Sequence, residues 1–85
     1  MSAEKSWIVE WFASNTGASV DALLAGSERS YFEQGWMDSF TFIRFITELE
    51  EAQSIRFKND DFQDRSFSTI DGLAAMVAAR RAGRG

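Results

Sequence analysis

An aspartate and a serine stand side by side where a turn gives way to an amphipathic run, Gly35-Trp36-Met37-Asp38-Ser39-Phe40, with a helical pattern continuing to about residue 53. The Asp38 carboxylate suits a helix N-cap, where it accepts hydrogen bonds from backbone N–H groups that lack an intrahelical partner. Ser39 then falls on the first turn, outside the core and open to a modifying enzyme. The helix dipole and the unpaired N–H groups favour an anion there, so a phosphate attached to Ser39 would be well placed. Taken alone, Asp-Ser ahead of an apolar helical run is also what an ordinary cap looks like.

Few other residues offer chemistry. The chain has no Cys and no His, which removes disulfides, zinc sites built on those ligands, a cysteine nucleophile and a Ser-His-Asp triad. Neither Lys5 nor Lys58 is near Ser39 in sequence to serve as its base, so no enzyme is expected. The acidic residues after Asn59 fail as a calcium loop on spacing. Counted from Asn59, the glycine position holds Asp64 and the final glutamate position holds Ile70.

Around this site, 85 residues make one domain, 1–85. Eight Phe, three Trp and one Tyr supply a core. Net charge is −4, and without the last six residues, which hold Arg80, Arg81 and Arg84, it is −7. An acidic body with a basic tail over about 80–85 argues for partners with basic surfaces and against nucleic acid. No apolar run approaches the ~18 residues of a membrane span, and the N-terminus does not read as a signal peptide. A monomer in the cytoplasm is expected, with no membrane partner.

Periodicity then places the elements. Residues 2–15 read as a helix with Ser2 as cap, Ile8, Trp11 and Phe12 on one face, Trp7 one turn back, and Gly17 as a left-handed stop. A long connection, 18–37, holds a short helical turn at 21–25 with Leu23 and Leu24 inward, and Phe32 is expected to anchor it. Residues 39–53 carry Phe42, Phe45, Ile46 and Leu49 as the buried stripe. Phe40 and Ile43 lie off that stripe, beside an outer face of Arg44, Thr47, Glu48 and Glu51. Ile55 and Phe57 should point inward from an extended stretch, and Asn59 should cap a short turn, 60–64, closed by Phe62 on the core. A last helix capped by Ser68 or Thr69 buries Ile70, Leu73, Ala74 and Val77 and runs to about residue 81, leaving Gly83, Arg84 and Gly85 to fray. The sum is an all-α bundle of three main helices plus short ones. Its aromatic interior is expected to be filled.

The residues now in hand resemble the acyl carrier protein family. The stretch Phe32-Glu33-Gln34-Gly35-Trp36-Met37-Asp38-Ser39-Phe40 is similar to its Phe, spacer, Gly, two residues, Asp-Ser, large-apolar motif. Leu49-Glu50-Glu51 and Phe67-Ser68-Thr69-Ile70 are similar to its second-helix end and fourth-helix start, and the likeness spans about residues 7–80. The resemblance implies a four-helix bundle and a 4′-phosphopantetheine arm, donated from coenzyme A, on Ser39. It implies acyl or aminoacyl groups carried as thioesters. Its expected partners are a phosphopantetheinyl transferase, an acyl-loading enzyme and acyl-processing enzymes. Its partner-facing positions fall on Phe40, Ile43, Arg44, Thr47, Glu48 and Glu51. The chain departs from the common pattern at Phe40, usually Leu, at Arg44, usually acidic, and at Thr47, usually large and apolar. The Gly-x-Met-Asp-Ser form resembles D-alanyl carriers and stand-alone carriers of specialised pathways. Arg44 is expected to set partner choice by repelling enzymes built for an acid. The rival readings are a cofactor-free helical module docking through Phe40 and Ile43, and, more remotely, a hydrolase using Ser39.

Overall fold

A computed structural model describes residues 2–82. In chain order it contains α1 (Ala3–Thr16), α2 (Val20–Ala25), α3 (Ser39–Gln53), α4 (Asn59–Gln63), a 3-10 turn (Arg65–Ser68) and α5 (Ile70–Ala82). The all-α expectation holds. Among the described residues β pairing is limited to one isolated bridge, Ser30 with Thr69. The expected fraying of 83–85 lies outside the described residues. Arg80 and Arg81 belong to α5, not to a loose tail.

Caps set most boundaries. The Ser2 hydroxyl accepts from Lys5 N at 3.1 Å, and Gly17 ends α1 at φ 77°. The Thr69 hydroxyl accepts from Gly72 N at 2.9 Å and so caps α5, while Ser68 belongs to the 3-10 turn. Asn59 does not cap α4, because it is already the first helical residue. Lys58 takes the cap position, and its N–H is held instead by Asp61 Oδ2 reaching back at 2.8 Å.

Rings fill the centre. Phe45 of α3 is fully buried and lies 4.8 Å from Trp11, 5.1 Å from Phe12 and 6.4 Å from Tyr31, ring centre to ring centre. The buried stripe of α5 is the expected one, and Ile55 is buried as expected. Trp7, Phe42 and Phe57 are half-buried against this core. Two apolar residues expected inward are not. Leu23 is buried but Leu24 is exposed, since consecutive residues of a short helix lie about 100° apart and one face cannot hold both. Phe62 is also largely exposed, because the 3-10 turn, invisible to periodicity, puts Phe67 in the interior and leaves Phe62 lying 4.8 Å over it. α5 meets that turn closely. A Cβ on Gly72 would lie 2.1 Å from the Ser66 carbonyl oxygen, so the glycine is kept despite its cost of about 1 kcal/mol in a helix.

Ion pairs hold the edges: Lys5 with Asp71 at 2.7 Å, Arg80 with Asp61 at 2.5 Å and Arg81 with Glu4 at 2.9 Å. Asp71 also accepts from the buried Ser27 hydroxyl at 2.9 Å, tying the loop to α5. Four carboxyls are held below their ordinary pKa: Asp71 chiefly by Lys5, Asp61 by the Lys58 N–H, Asp64 by the Ser66 N–H and Asp38 by the Thr41 N–H. A lowered folded-state pKa adds stability that is complete above the unfolded value and lost as pH falls through the folded one. The thermal midpoint should therefore be steady down to the ordinary value of 3.8 and drop below it. Circular dichroism melts across that range check this. A midpoint that holds to about pH 2 would show these contacts to be idle.

Candidate functional site

The segment leading to Ser39 is pinned from behind. Tyr31, not Phe32, is its anchor. Tyr31 is fully buried, and Phe32 lies 39% exposed with its ring 5.3 Å from Phe42. The Tyr31 hydroxyl donates to the Phe67 carbonyl, its N–H donates to the Ser68 carbonyl at 2.9 Å, and its own carbonyl accepts from Trp36 N at 3.1 Å. Burial pushes its phenol pKa well above the ordinary value, so the group stays a donor. Gly35 then turns the chain at φ 78°, where any side chain costs roughly 1–2 kcal/mol, and Met37 is buried just before the helix. The start of α3 is thus fixed to the start of α5.

At that start, Asp38 Oδ1 accepts from Thr41 N at 2.8 Å, and the Asp38 carbonyl accepts from Phe42 N at 2.8 Å. Asp38 is the cap, and it stays ionised at neutral pH because the Thr41 N–H favours the carboxylate. Ser39 is exposed on the first turn, and among the described residues no group engages its hydroxyl. Phe40 is 90% exposed and Ile43 67% exposed beside it. Replacing Asp38 with Ala should fray this helix start, lowering the thermal midpoint and slowing modification at the site. Melts and intact-mass time courses measure both, and no change in either would remove Asp38 as cap and positioner.

Thr47 and Glu51 are exposed on the outer face as expected. Arg44 and Glu48 form the i,i+4 ion pair that their spacing suggests, with side chains 58% and 45% exposed. Arg44 Nε lies 3.2 Å from Glu48 Oε2, and its guanidinium donates to Asn15 Oδ1 and sits 5.3 Å over the Trp11 ring. Glu48 Oε1 accepts from Trp11 Nε1 at 3.0 Å. Trp11 and Asn15 were not legible as neighbours of this face. The only signal was that a buried indole N–H needs an acceptor, and Glu48 lies 37 residues away. At the far end of α3, Thr47, Glu50, Ile55, Arg56 and Arg80 line an open groove of about 660 Å³.

An exposed hydroxyl at a helix head, with no base aimed at it, suits modification by another enzyme and not catalysis by its own chain. The class this fold and site define is a small helical carrier domain. Residues 6–77 match the family model for the phosphopantetheine attachment site. The chain belongs to that family: it is a phosphopantetheine-bearing carrier protein, not an enzyme, served by a modifying transferase and by processing enzymes. No curated protein and no solved structure matches it. The local chemistry fits the group. The first turn of α3 favours the phosphodiester charge, and the neighbouring Asp38 carboxylate, a like charge, is occupied by the Thr41 N–H. Among the described residues, no helix is long and apolar enough to cross a membrane.

Proposed function

We propose that Ser39 carries the arm, that the chain is one carrier domain, and that it delivers acyl or aminoacyl groups to partner enzymes. The observation that carries this reading is the exposed, unengaged Ser39 hydroxyl on the first turn of a helix already capped by Asp38. In the modifying step the Ser39 oxygen forms a new bond to phosphorus. The bond to the nucleotide half of coenzyme A breaks, and the serine proton leaves to a base on the transferase. Once attached, the arm supplies a terminal thiol that holds the cargo as a thioester. The chain has no thiol of its own to compete for it.

Partners meet the face of Phe40, Ile43, Arg44, Thr47, Glu48 and Glu51, and the departures at Phe40, Arg44 and Thr47 favour a stand-alone carrier of a specialised pathway over a housekeeping role. The ring-filled interior favours short or polar cargo. Because the family match supplies a cofactor, the cofactor-free docking module falls away. Co-expression with a phosphopantetheinyl transferase, followed by intact-mass and peptide mapping, tests the attachment. The expected result is one phosphopantetheinyl increment, mapped to Ser39. Mapping to any other residue refutes the site.

A further inference from the structure

Gly35, which turns the chain at φ 78° ahead of Ser39, is clamped on both sides against Gly26. On the near side, the Gln34 side-chain amide donates to the Gly26 carbonyl at 2.9 Å, with longer reaches of 3.4 Å to the Ser30 carbonyl and 3.5 Å to the Arg29 carbonyl. The Gln34 backbone N–H adds a bond to the same Ser30 carbonyl at 3.2 Å. On the far side, the Trp36 ring lies against Gly26. A Cβ there would stand 2.1 Å from Gln34 Oε1 and 2.9 Å from Trp36 Cη2, so only glycine leaves room for both. Gly26 is itself held. It is buried and ends α2, its N–H donating to the Ala22 carbonyl at 3.0 Å. Its neighbour Ser27 is bonded twice to Asp71 of α5. The Asp71 N–H donates to the Ser27 carbonyl at 3.0 Å, and the Ser27 hydroxyl donates to Asp71 Oδ2 at 2.9 Å. Three backbone carbonyls facing one side chain need a donor, which an amide supplies and a carboxylate does not.

We propose that Gln34 is a positioning residue for the modification of Ser39. The inference rests on Ser39 being the attachment residue. The Gln34 amide and the Trp36 ring tie the residues before and after the Gly35 turn to one fixed point, Gly26. That sets the direction in which Met37, Asp38 and Ser39 leave the loop. The step served is exacting. The Ser39 oxygen must meet phosphorus in line with the bond to the departing nucleotide half, and a misplacement of about 1 Å can cost about 100-fold in rate. Gln34 acts through the loop and not on the reacting atoms. The burial of Tyr31 and Met37 holds the loop to the core without it, so removing the amide loosens the aim of the serine and leaves the fold standing.

The experiment is single-turnover modification with a broad-specificity phosphopantetheinyl transferase in excess and saturating coenzyme A, quenched and read by intact mass, with folding of each variant checked by circular dichroism. The carrier is the substrate here. A partly unfolded variant needs more transferase for half-saturation but keeps the limiting rate, whereas a mis-aimed serine lowers the limiting rate itself. Gln34→Met keeps the length of the side chain and removes the donor. It should lower the limiting rate about tenfold and change the half-saturating transferase concentration by less than about twofold. Gly26→Ala pushes the Gln34 amide aside and should do the same. Gly26→Ala with Gln34→Met should stay within about twofold of the slower single variant, because both act on one contact, whereas independent effects would multiply to about 100-fold. The proposal is overturned if Gln34→Met keeps the wild-type limiting rate, if it alters the half-saturating concentration alone, or if the two effects multiply. Should Gln34→Met not fold, Gly26→Ala decides by the same two readings. If wild type gains no phosphopantetheinyl mass on Ser39, the attachment reading fails and Gln34 has nothing to position. If it gains that mass and the variants behave otherwise than stated, only the positioning proposal fails.

Discussion

Ser39→Ala should abolish the phosphopantetheinyl mass increment completely while leaving helix content and thermal midpoint close to wild type. The loss is complete because the new bond needs the serine oxygen and alanine has none to give. The fold should survive for three local reasons. The Ser39 side chain is exposed and no described group engages it. Capping is done one residue earlier, by Asp38 on the Thr41 N–H at 2.8 Å. Alanine is also the residue that helices accept most readily. Intact mass after incubation with transferase and coenzyme A gives the first readout, and circular dichroism the second. A Ser39→Ala protein that still gains the increment would strip Ser39 of its role. One that fails to fold would show that the serine also supports the helix start.

Tyr31→Ala should be the most damaging single change outside the α-helices. Its ring is fully buried, 5.3 Å from Phe12, 6.5 Å from Phe42 and 6.4 Å from Phe45. Removing an aromatic ring of this kind costs about 3–5 kcal/mol. The Phe67 carbonyl also loses its donor, a penalty of about 1–3 kcal/mol if it stays dry. A domain of this size has roughly 5–15 kcal/mol of stability in all, and small domains lie toward the lower end. The variant should therefore be largely unfolded, or nearly so. Tyr31→Phe isolates the hydrogen bond and should cost about 1–3 kcal/mol. Phe32→Ala, at a ring 39% exposed, should cost only about 1 kcal/mol. Urea titrations rank the three. A Tyr31→Ala protein no less stable than Phe32→Ala would show that the loop is anchored elsewhere. Because Tyr31 ties the segment before Ser39 to the start of α5, the modification rate of Tyr31→Phe should also fall.

Much of this protein is written in near-neighbour physics, and that part is legible without coordinates. The stripe of Phe45, Ile46 and Leu49 follows from 3.6 residues per turn, as does the displacement of Phe40 and Ile43 to the outside. The Asp38 cap, the Gly17 stop and the exposed first-turn serine depend on residues at most a few positions apart. So does the turn at Gly35. The tertiary structure alone decided between near-equals. Tyr31 and Phe32 are adjacent aromatics in a loop, with no period to choose which goes inward. The choice falls to Tyr31 because its hydroxyl reaches the Phe67 carbonyl, 36 residues on. Phe67 takes the interior and displaces Phe62 only because a 3-10 turn, too short to leave a periodic trace, re-aims the chain before α5. Arg44 and Glu48 read as an exposed i,i+4 pair on their own helix, and that pair is present. Packing brings Trp11 and Asn15 of α1 against them, and a buried indole N–H takes the nearest carboxylate. Spacing along one helix cannot reveal what a different helix sets beside it, so the contacts of Arg44 and Glu48 with α1 were decided in three dimensions.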